Sequence, residues 1–211
     1  MSSLSTVDRK CQRKKRMVKS ANVRHILEKA KSLDGDELKE LLADLLSLIH
    51  PRKFQGTKLC NALTRLKPAV AFEALHIRGS GKDTEVYLTK RPPDDIAHPN
   101  EWCAPSSIYR QGEHDQDVAK RLEEDFFHTG IKSFHFVSRF PVHHEERGTV
   151  HSNVFLVDLV GQPLLDLRHD WHPISKLPES IVPHHSDPII PLAAVAHHKR
   201  NQSGQPKRSF Q

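Results

Sequence analysis

After Pro68 the apolar residues change period, and the order of periods from there to residue 196 restricts this chain more than any other feature. Ala69 to Arg78 reads as a strand, with Val70, Phe72, Ala74 and Leu75 supplying the apolar mass. Gly79-Ser80-Gly81 predicts a turn, and Glu85 to Arg91 alternates through Val86 and Leu88 as a second strand. A long Pro-rich connection covers 92–112. Gln116 to Phe127 then carries Val118, Leu122 and Phe126 on one helical stripe. Phe134 to Phe140 and Val150 to Val160 are two more strands, joined by the polar loop His143-His144-Glu145-Glu146-Arg147-Gly148, so a long hairpin is expected. Prolines follow, then a short apolar stretch from Ile189 to Ala196. Strand, strand, loop, helix, strand, strand, loop, terminal helix is a mixed α/β order.

The residues before this body are organised differently. Residues 1–19 read as a disordered basic arm centred on Arg13-Lys14-Lys15-Arg16, for which a nuclear localisation patch, a nucleic-acid arm and a mitochondrial transit peptide compete with a plain solvated tail. Residues 20–67 form a helical segment. Its clearest helix begins at Asp34 or Asp36 and carries Leu38, Leu41, Leu42, Leu45, Leu46, Leu48 and Ile49 until His50-Pro51 stops it. Each of these aliphatics left exposed forfeits roughly 1.5–3 kcal/mol. The helix therefore packs on the main domain, or on a partner or second copy through residues 36–49. A third helix, with Leu59, Leu63 and Leu66, ends before Pro68. The main domain spans 68–196, and 197–211 is a basic C-terminal tail.

Charge follows these divisions. The net charge is +6, with +8 in residues 1–31 and +4 in residues 197–211, which leaves −6 for 32–196. A domain that grips nucleic acid usually carries positive charge on its own face, so an RNA contact is expected from the tails. Cys11, Cys60 and Cys103 are too few and scattered for a disulfide framework, which points to a reducing, intracellular compartment, with cytoplasm, nucleus and mitochondrion all open. No apolar run of about 18 residues exists, so no transmembrane helix is expected. The N-terminus lacks the apolar stretch of a secretory signal.

Over roughly 128 residues the body resembles the Nudix hydrolase superfamily. Glu85-Val86-Tyr87-Leu88-Thr89-Lys90-Arg91 looks like that family's strand ending in a basic residue. Trp102-Cys103-Ala104-Pro105-Ser106-Ser107 stands where the family usually has Trp followed by Pro-Gly-Gly, and Gly112-Glu113 matches the Gly-Glu before the catalytic helix. Trp171-His172-Pro173-Ile174-Ser175-Lys176-Leu177-Pro178 is similar to a Trp-x-Pro-Leu-x-x-Leu-Pro segment. The resemblance implies an α/β/α sandwich with a mixed sheet, preceded here by the small N-terminal helical segment.

The family's box is G-x5-E-x7-R-E-U-x-E-E-x-G-U, with U aliphatic. Its glutamates share one helix face and hold divalent metal against a pyrophosphate. Read without gaps, Ser107 takes the first Gly, Glu113 the first Glu and Arg121 the Arg. Leu122 and Phe126 then fall on metal-binding glutamates, and only Asp125 survives. A one-residue deletion before the helix instead makes Leu122 the aliphatic residue, puts Lys120 on the Arg and Arg121 on the first glutamate, and brings Glu124-Asp125 onto the Glu-Glu pair. The buried stripe favours this second register.

Two functions follow from the resemblance. One is a binding module with reduced or lost hydrolysis that takes a nucleotide, an RNA or a protein. The other is a Mg²⁺- or Mn²⁺-dependent pyrophosphohydrolase acting on a nucleoside diphosphate linked to another group. In the latter, Glu113, Glu124 and Asp125 hold metal, Glu124, Asp125 and Glu145 (or Glu146) are catalytic, and Lys120, Arg121 and Trp102 meet substrate. Glu123-Glu124-Asp125 also reads as an ordinary solvated helix face. Trp102 and Trp171 are read either as flanking the cleft or as core, and Phe126, Phe127, Phe134 and Phe136 as core. Sixteen histidines raise a transition-metal site at His169-x-x-His172, His184-His185 or His143-His144, although none has the spacing of a recognised zinc motif.

Overall fold

The computed structural model describes residues 23–50, 53, 56–144 and 148–203. It divides into two units, one ending at His50 and the other beginning at Pro51. The basic arm 1–19 lies outside the described residues.

In the first unit a helical stretch over 23–31 (α1) leads to α2, Gly35–Ser47. Asp34 is the N-cap of α2. Its Oδ1 accepts the N–H groups of Asp36 and Glu37, each at 2.9 Å, and Glu37 Oε2 accepts the Asp34 N–H at 3.1 Å. This reciprocal pair satisfies backbone donors that have no partner inside the helix. None of the residues of α2 is buried, and Leu38, Leu42, Leu45 and Leu48 are exposed.

The second unit opens with α3, Thr57–Leu66, which packs on a strand of this unit although its sequence reads as part of the N-terminal helical segment. Gly148 permits the approach. Its φ is +80°, and a Cβ there would meet Thr64 O at 2.5 Å and Arg65 Cα at 2.8 Å. Only glycine meets both conditions without displacing α3.

Eight strands follow: β1 Ala69–Leu75, β2 Ile77–Arg78, β3 Glu85–Lys90, β4 Trp102–Cys103, β5 Ser106–Ile108, β6 Ile131–His144, β7 Gly148–Leu159 and β8 His169–Pro173. One sheet has the order β5-β1-β7-β6. Its β1 and β7 run parallel from Ala69↔Val150 to Leu75↔Leu156, and its other pairs are antiparallel. The sheet is therefore mixed. In the second sheet β3 pairs with β8 over Glu85–Thr89, with β2 at one end and β4 at the other. The strand expected over 69–78 breaks at His76, where the chain passes from one sheet to the other. There the His76 Nδ1–H donates to Val157 O at 2.9 Å, which fixes the tautomer.

Between β5 and β6 lies α4, Asp115–Leu122, and the chain closes on α5, Ile190–Gln202. Strand alternation sorts the core into two layers. Phe72 and Ala74 of β1, Tyr87 of β3, and Phe155 and Val157 of β7 pack with Val118 and Leu122 of α4. Leu75, Val86, Leu88, Val154 and Leu156, from the same three strands, pack with Ile189, Ile190 and Ala193. With α4 on one side and α5 on the other, the unit is an α/β/α sandwich.

The expected hairpin is β6–β7, longer than its apolar residues suggested, with two register shifts along it. Phe136 is 59% exposed rather than core, because β6 is an edge strand of its sheet. α5 continues through Gln202 and takes in residues read as basic tail, with Arg200 donating to both oxygens of Asp158 at 2.8 and 3.1 Å. No helix among the described residues is long and apolar enough to cross a membrane.

Candidate functional site

The box region is built on β1. β5 pairs with it through Ala71↔Ile108, Phe72↔Ser107 and Glu73↔Ser106, and the Tyr109 N–H donates to Val70 O at 3.0 Å. From this strand the chain turns through Gly112, whose φ of +73° suits glycine, into α4. Asp115 and Asp117 stand in the first turn of α4, and Lys120 and Arg121 in the last, so charge complements the helix dipole at both ends.

Arg121 closes the loop back on itself. It donates to Glu113 Oε1 at 3.0 Å and Oε2 at 2.8 Å, to Ile108 O at 3.0 Å, and to Ser107 Oγ. The Arg110 N–H donates to Glu113 Oε2 at 2.7 Å. Burial acts to raise the Glu113 carboxyl, but the hydrogen bonds from Arg121 and the Arg110 N–H outweigh it and hold the group below the ordinary carboxylate range. Glu113 and Arg121 are the residues that the reading without gaps places on the box's first Glu and its Arg. Arg121 therefore does not stand as an open phosphate contact.

Beyond Arg121 the buried stripe follows the helix. Leu122 is fully buried beside Val118. The helix then widens into a π turn, Glu123–Phe127, in which the His128 N–H donates to Glu123 O at 2.7 Å. A π turn adds one residue per turn, so the stripe expected at 118, 122 and 126 runs through 118, 122 and 127 instead. Phe127 is fully buried, while Phe126 packs only partly against that layer. Tyr87 secures the turn, with its hydroxyl 2.8 Å from Leu164 O and 3.1 Å from Phe126 O. Glu123 Oε1 accepts the Ile131 N–H at 2.6 Å and starts β6.

The remaining predicted residues are scattered. Lys120, Glu124 and Asp125 are exposed on the helix. Among the described residues, Glu113, Glu124 and Asp125 do not converge as metal-ligand groups do. Glu145 and Glu146 lie outside the described residues. Trp102, on β4, packs against the α5 layer, its ring 4.5 Å from that of His172. Trp171 is a core residue at 8% exposure, with Arg78 stacked 4.0 Å over its ring.

A polar layer that sequence reasoning did not assemble lies on the other side of β1. Glu73, inward-facing and 4% exposed, accepts the Ser152 hydroxyl at 3.0 Å. His185, 1% exposed, lies with Nε2 3.4 Å from Glu73 Oε2. Its Nδ1 accepts the Ala104 N–H at 2.8 Å, so the proton sits on Nε2 and points at the carboxylate. Beyond His185, three more imidazoles meet: His98, His144 and His184. Burial pushes His184 down to about 3 and keeps it neutral. Arg91 pairs with Asp95 at 2.8 Å alongside the buried Cys103, whose thiol burial pushes up to about 12. The pairs His184-His185 and His143-His144 were the parts of this layer visible as motifs; Glu73 and His98 carried no signal of their own.

No protein-family model matches the sequence, and no curated protein matches it. Among solved structures, a NUDIX hydrolase from Nitrosomonas europaea superposes with a TM-score of 0.50 and 16% identity, covering 63% of this chain and 90% of that one. A MutT NUDIX hydrolase from Burkholderia pseudomallei covers 61% of this chain and 98% of its own at 19% identity and TM-score 0.49. NrtR from Shewanella oneidensis covers 62% of this chain, which spans 63% of its length, at 13% identity and TM-score 0.49.

Proposed function

We propose that this chain, which carries the Nudix fold, is a binding protein for a nucleotide or nucleoside diphosphate derivative in which hydrolysis is reduced or lost. The observation that carries the proposal is the dispersal of the acids. Glu113 is bound by Arg121 and the Arg110 N–H, while Glu124 and Asp125 stand at the surface and, among the described residues, share no metal-sized cluster with a third acid. Mg²⁺ demands a near-octahedral set of oxygens at about 2.0–2.1 Å. A carboxylate engaged on both oxygens by arginine offers such an ion little, so this set does not fit a three-carboxylate Mg²⁺ or Mn²⁺ centre. In this reading the box runs without a gap to Arg121 and resumes with Leu122 as its aliphatic residue, which leaves no counterpart for the glutamate between them.

The alternative, an active Mg²⁺- or Mn²⁺-dependent pyrophosphohydrolase, is favoured by one observation. Glu124 and Asp125 are adjacent and open, and Mg²⁺ is often held by one or two carboxylates together with substrate phosphates. Glu145 would then act as base and Lys120 as phosphate contact. The basic residues of the arm support RNA as a further partner, and the exposed leucines of α2 support a homodimer through 36–49.

One experiment separates the two readings. Purified protein and a Glu124→Gln variant are incubated with a panel of nucleoside diphosphate derivatives in Mg²⁺ and in Mn²⁺, and binding is followed by calorimetry alongside turnover. Binding with turnover no higher than the variant's is the expected result. Metal-dependent turnover that collapses in the variant would overturn the proposal in favour of the hydrolase.

A further inference from the structure

His98, His144 and His184 come from three separate segments: the Pro-rich connection before β4, the end of β6, and the turn that leads into α5. One ligand nitrogen from each lies within 4.8 Å of the other two. The rings stand edge to face around a common point, with centroid separations of 5.4, 5.2 and 6.1 Å. We infer that His98, His144 and His184 form a binding site for Zn²⁺, with a fourth position open to water or a ligand oxygen.

Four observations support this. The His98 Nε2 to His144 Nδ1 distance is 3.4 Å. Two nitrogens on a tetrahedral Zn²⁺ with bonds of about 2.0–2.1 Å sit about 3.3 Å apart, so this pair already has the separation the ion needs. Second, Glu101 Oε2 lies 3.1 Å from His98 Nδ1. A carboxylate on one imidazole nitrogen fixes the proton there and turns the other nitrogen's lone pair toward the metal, which is the usual outer support of a zinc histidine.

Third, the site has a rigid frame. The Asp95 carboxylate accepts the Ala97 and His98 N–H groups at 3.1 and 3.0 Å and is itself held by Arg91, so the loop presenting His98 is locked by its own turn. On the opposite side, His184 packs edge to face on His185 at 4.5 Å, and His185 is held between Ala104 and Glu73. Fourth, the buried Glu73 carboxylate, which accepts from Ser152 and faces His185, places a negative charge behind the cluster and favours a cation in it. The all-nitrogen donor set selects against Mg²⁺ and Ca²⁺, which take oxygen, and in favour of Zn²⁺.

Without metal, the short His98–His144 distance is an ordinary hydrogen bond, with the His144 Nδ1–H donating to His98 Nε2. Binding would move that proton to His144 Nε2, freeing Nδ1 as a ligand, and no proton would leave the protein. The site is independent of the box helix, and its test does not depend on what the box binds.

The full chain, stripped with chelator, is titrated with ZnCl₂ alone by calorimetry and with CoCl₂ by visible absorption. One Zn²⁺ per chain is expected, unaffected by excess Mg²⁺, together with the intense d–d absorption of four-coordinate Co²⁺. His98→Ala and His144→Ala should each abolish stoichiometric binding while leaving the apo circular dichroism unchanged. Glu101→Gln, which removes no ligand, should weaken binding about 10–100-fold. With so many histidines in the chain, His169→Ala serves as the control and should change nothing. The inference is overturned if no stoichiometric binding occurs, or if binding survives His98→Ala and His144→Ala.

Discussion

Leu122→Glu would restore a glutamate at the position where the reading without gaps expects one, and the structure predicts that it fails. Leu122 has no exposed surface and sits in the layer formed by Phe72, Val118 and Phe127. Removing it from that layer forfeits roughly 1.5–3 kcal/mol. The new carboxyl would have to stay protonated in the core, while the unfolded chain ionises near pH 4.3. At pH 7 that difference costs about 3.7 kcal/mol, at 1.36 kcal/mol per pH unit. Polar atoms left without partners add roughly 1–3 kcal/mol. The total, roughly 6–10 kcal/mol, is comparable to the whole stability of a domain, about 5–15 kcal/mol. The carboxyl's folded pKa is raised, so its penalty fades as pH falls toward the unfolded value. About 2.7 kcal/mol should return between pH 7 and pH 5. Urea denaturation followed by tryptophan fluorescence at both pH values measures this, with Leu122→Gln as the variant that loses the same apolar burial but has no pH term. A Leu122→Glu protein as stable as wild type at pH 7, with no pH term, would mean that Leu122 faces solvent and that the helix is rotated from the orientation described.

Two further outcomes follow from named groups. Burial holds His76 below its ordinary value despite the Val157 hydrogen bond, and burial likewise lowers His172 and His197. The unfolded chain takes up protons as pH falls below about 6.5 while these folded imidazoles stay neutral, so stability is complete above that value and declines below it. A denaturant midpoint that falls from pH 7.5 to 5.5, with a smaller fall in His76→Asn, is expected; equal slopes for the two proteins would refute the role of His76. Leu45→Asp on the exposed face of α2 should leave the second unit folded and disperse any oligomer seen by light scattering. A wholly unfolded product would show instead that the leucines of α2 are required for the fold.

The mixed α/β order, the hairpin, α4 and the N-cap at Asp34 were legible in the sequence because each rests on local period or on a capping residue within three positions of its target. The pairing of Glu113 with Arg121 was legible only as one of two registers. The orientation of the helix after it rests on Leu122 and Phe127, five residues apart, sharing one buried layer. A spacing rule based on 3.6 residues per turn cannot anticipate that, because the π turn is imposed by packing around Tyr87 and the two phenylalanines rather than by any residue's own preference. The short strands β4, β5 and β8 were missed for a related reason. They have too few residues to show alternation, and they are extended because β1 and β3 offer them unpaired backbone groups.

By itself, then, the sequence determined what can be decided over one or two turns of chain: which segments alternate, where helices start, and that charge lies at the ends while the body is acidic. Only the tertiary structure decided which polar residues meet. Glu73 and His185 lie far apart in the chain, as do His98, His144 and His184, and no residue near any of them in sequence requires the others. They converge because β1 runs parallel to β7 and α5 returns across the sheet, which carries residues remote in sequence to one end of the same layer.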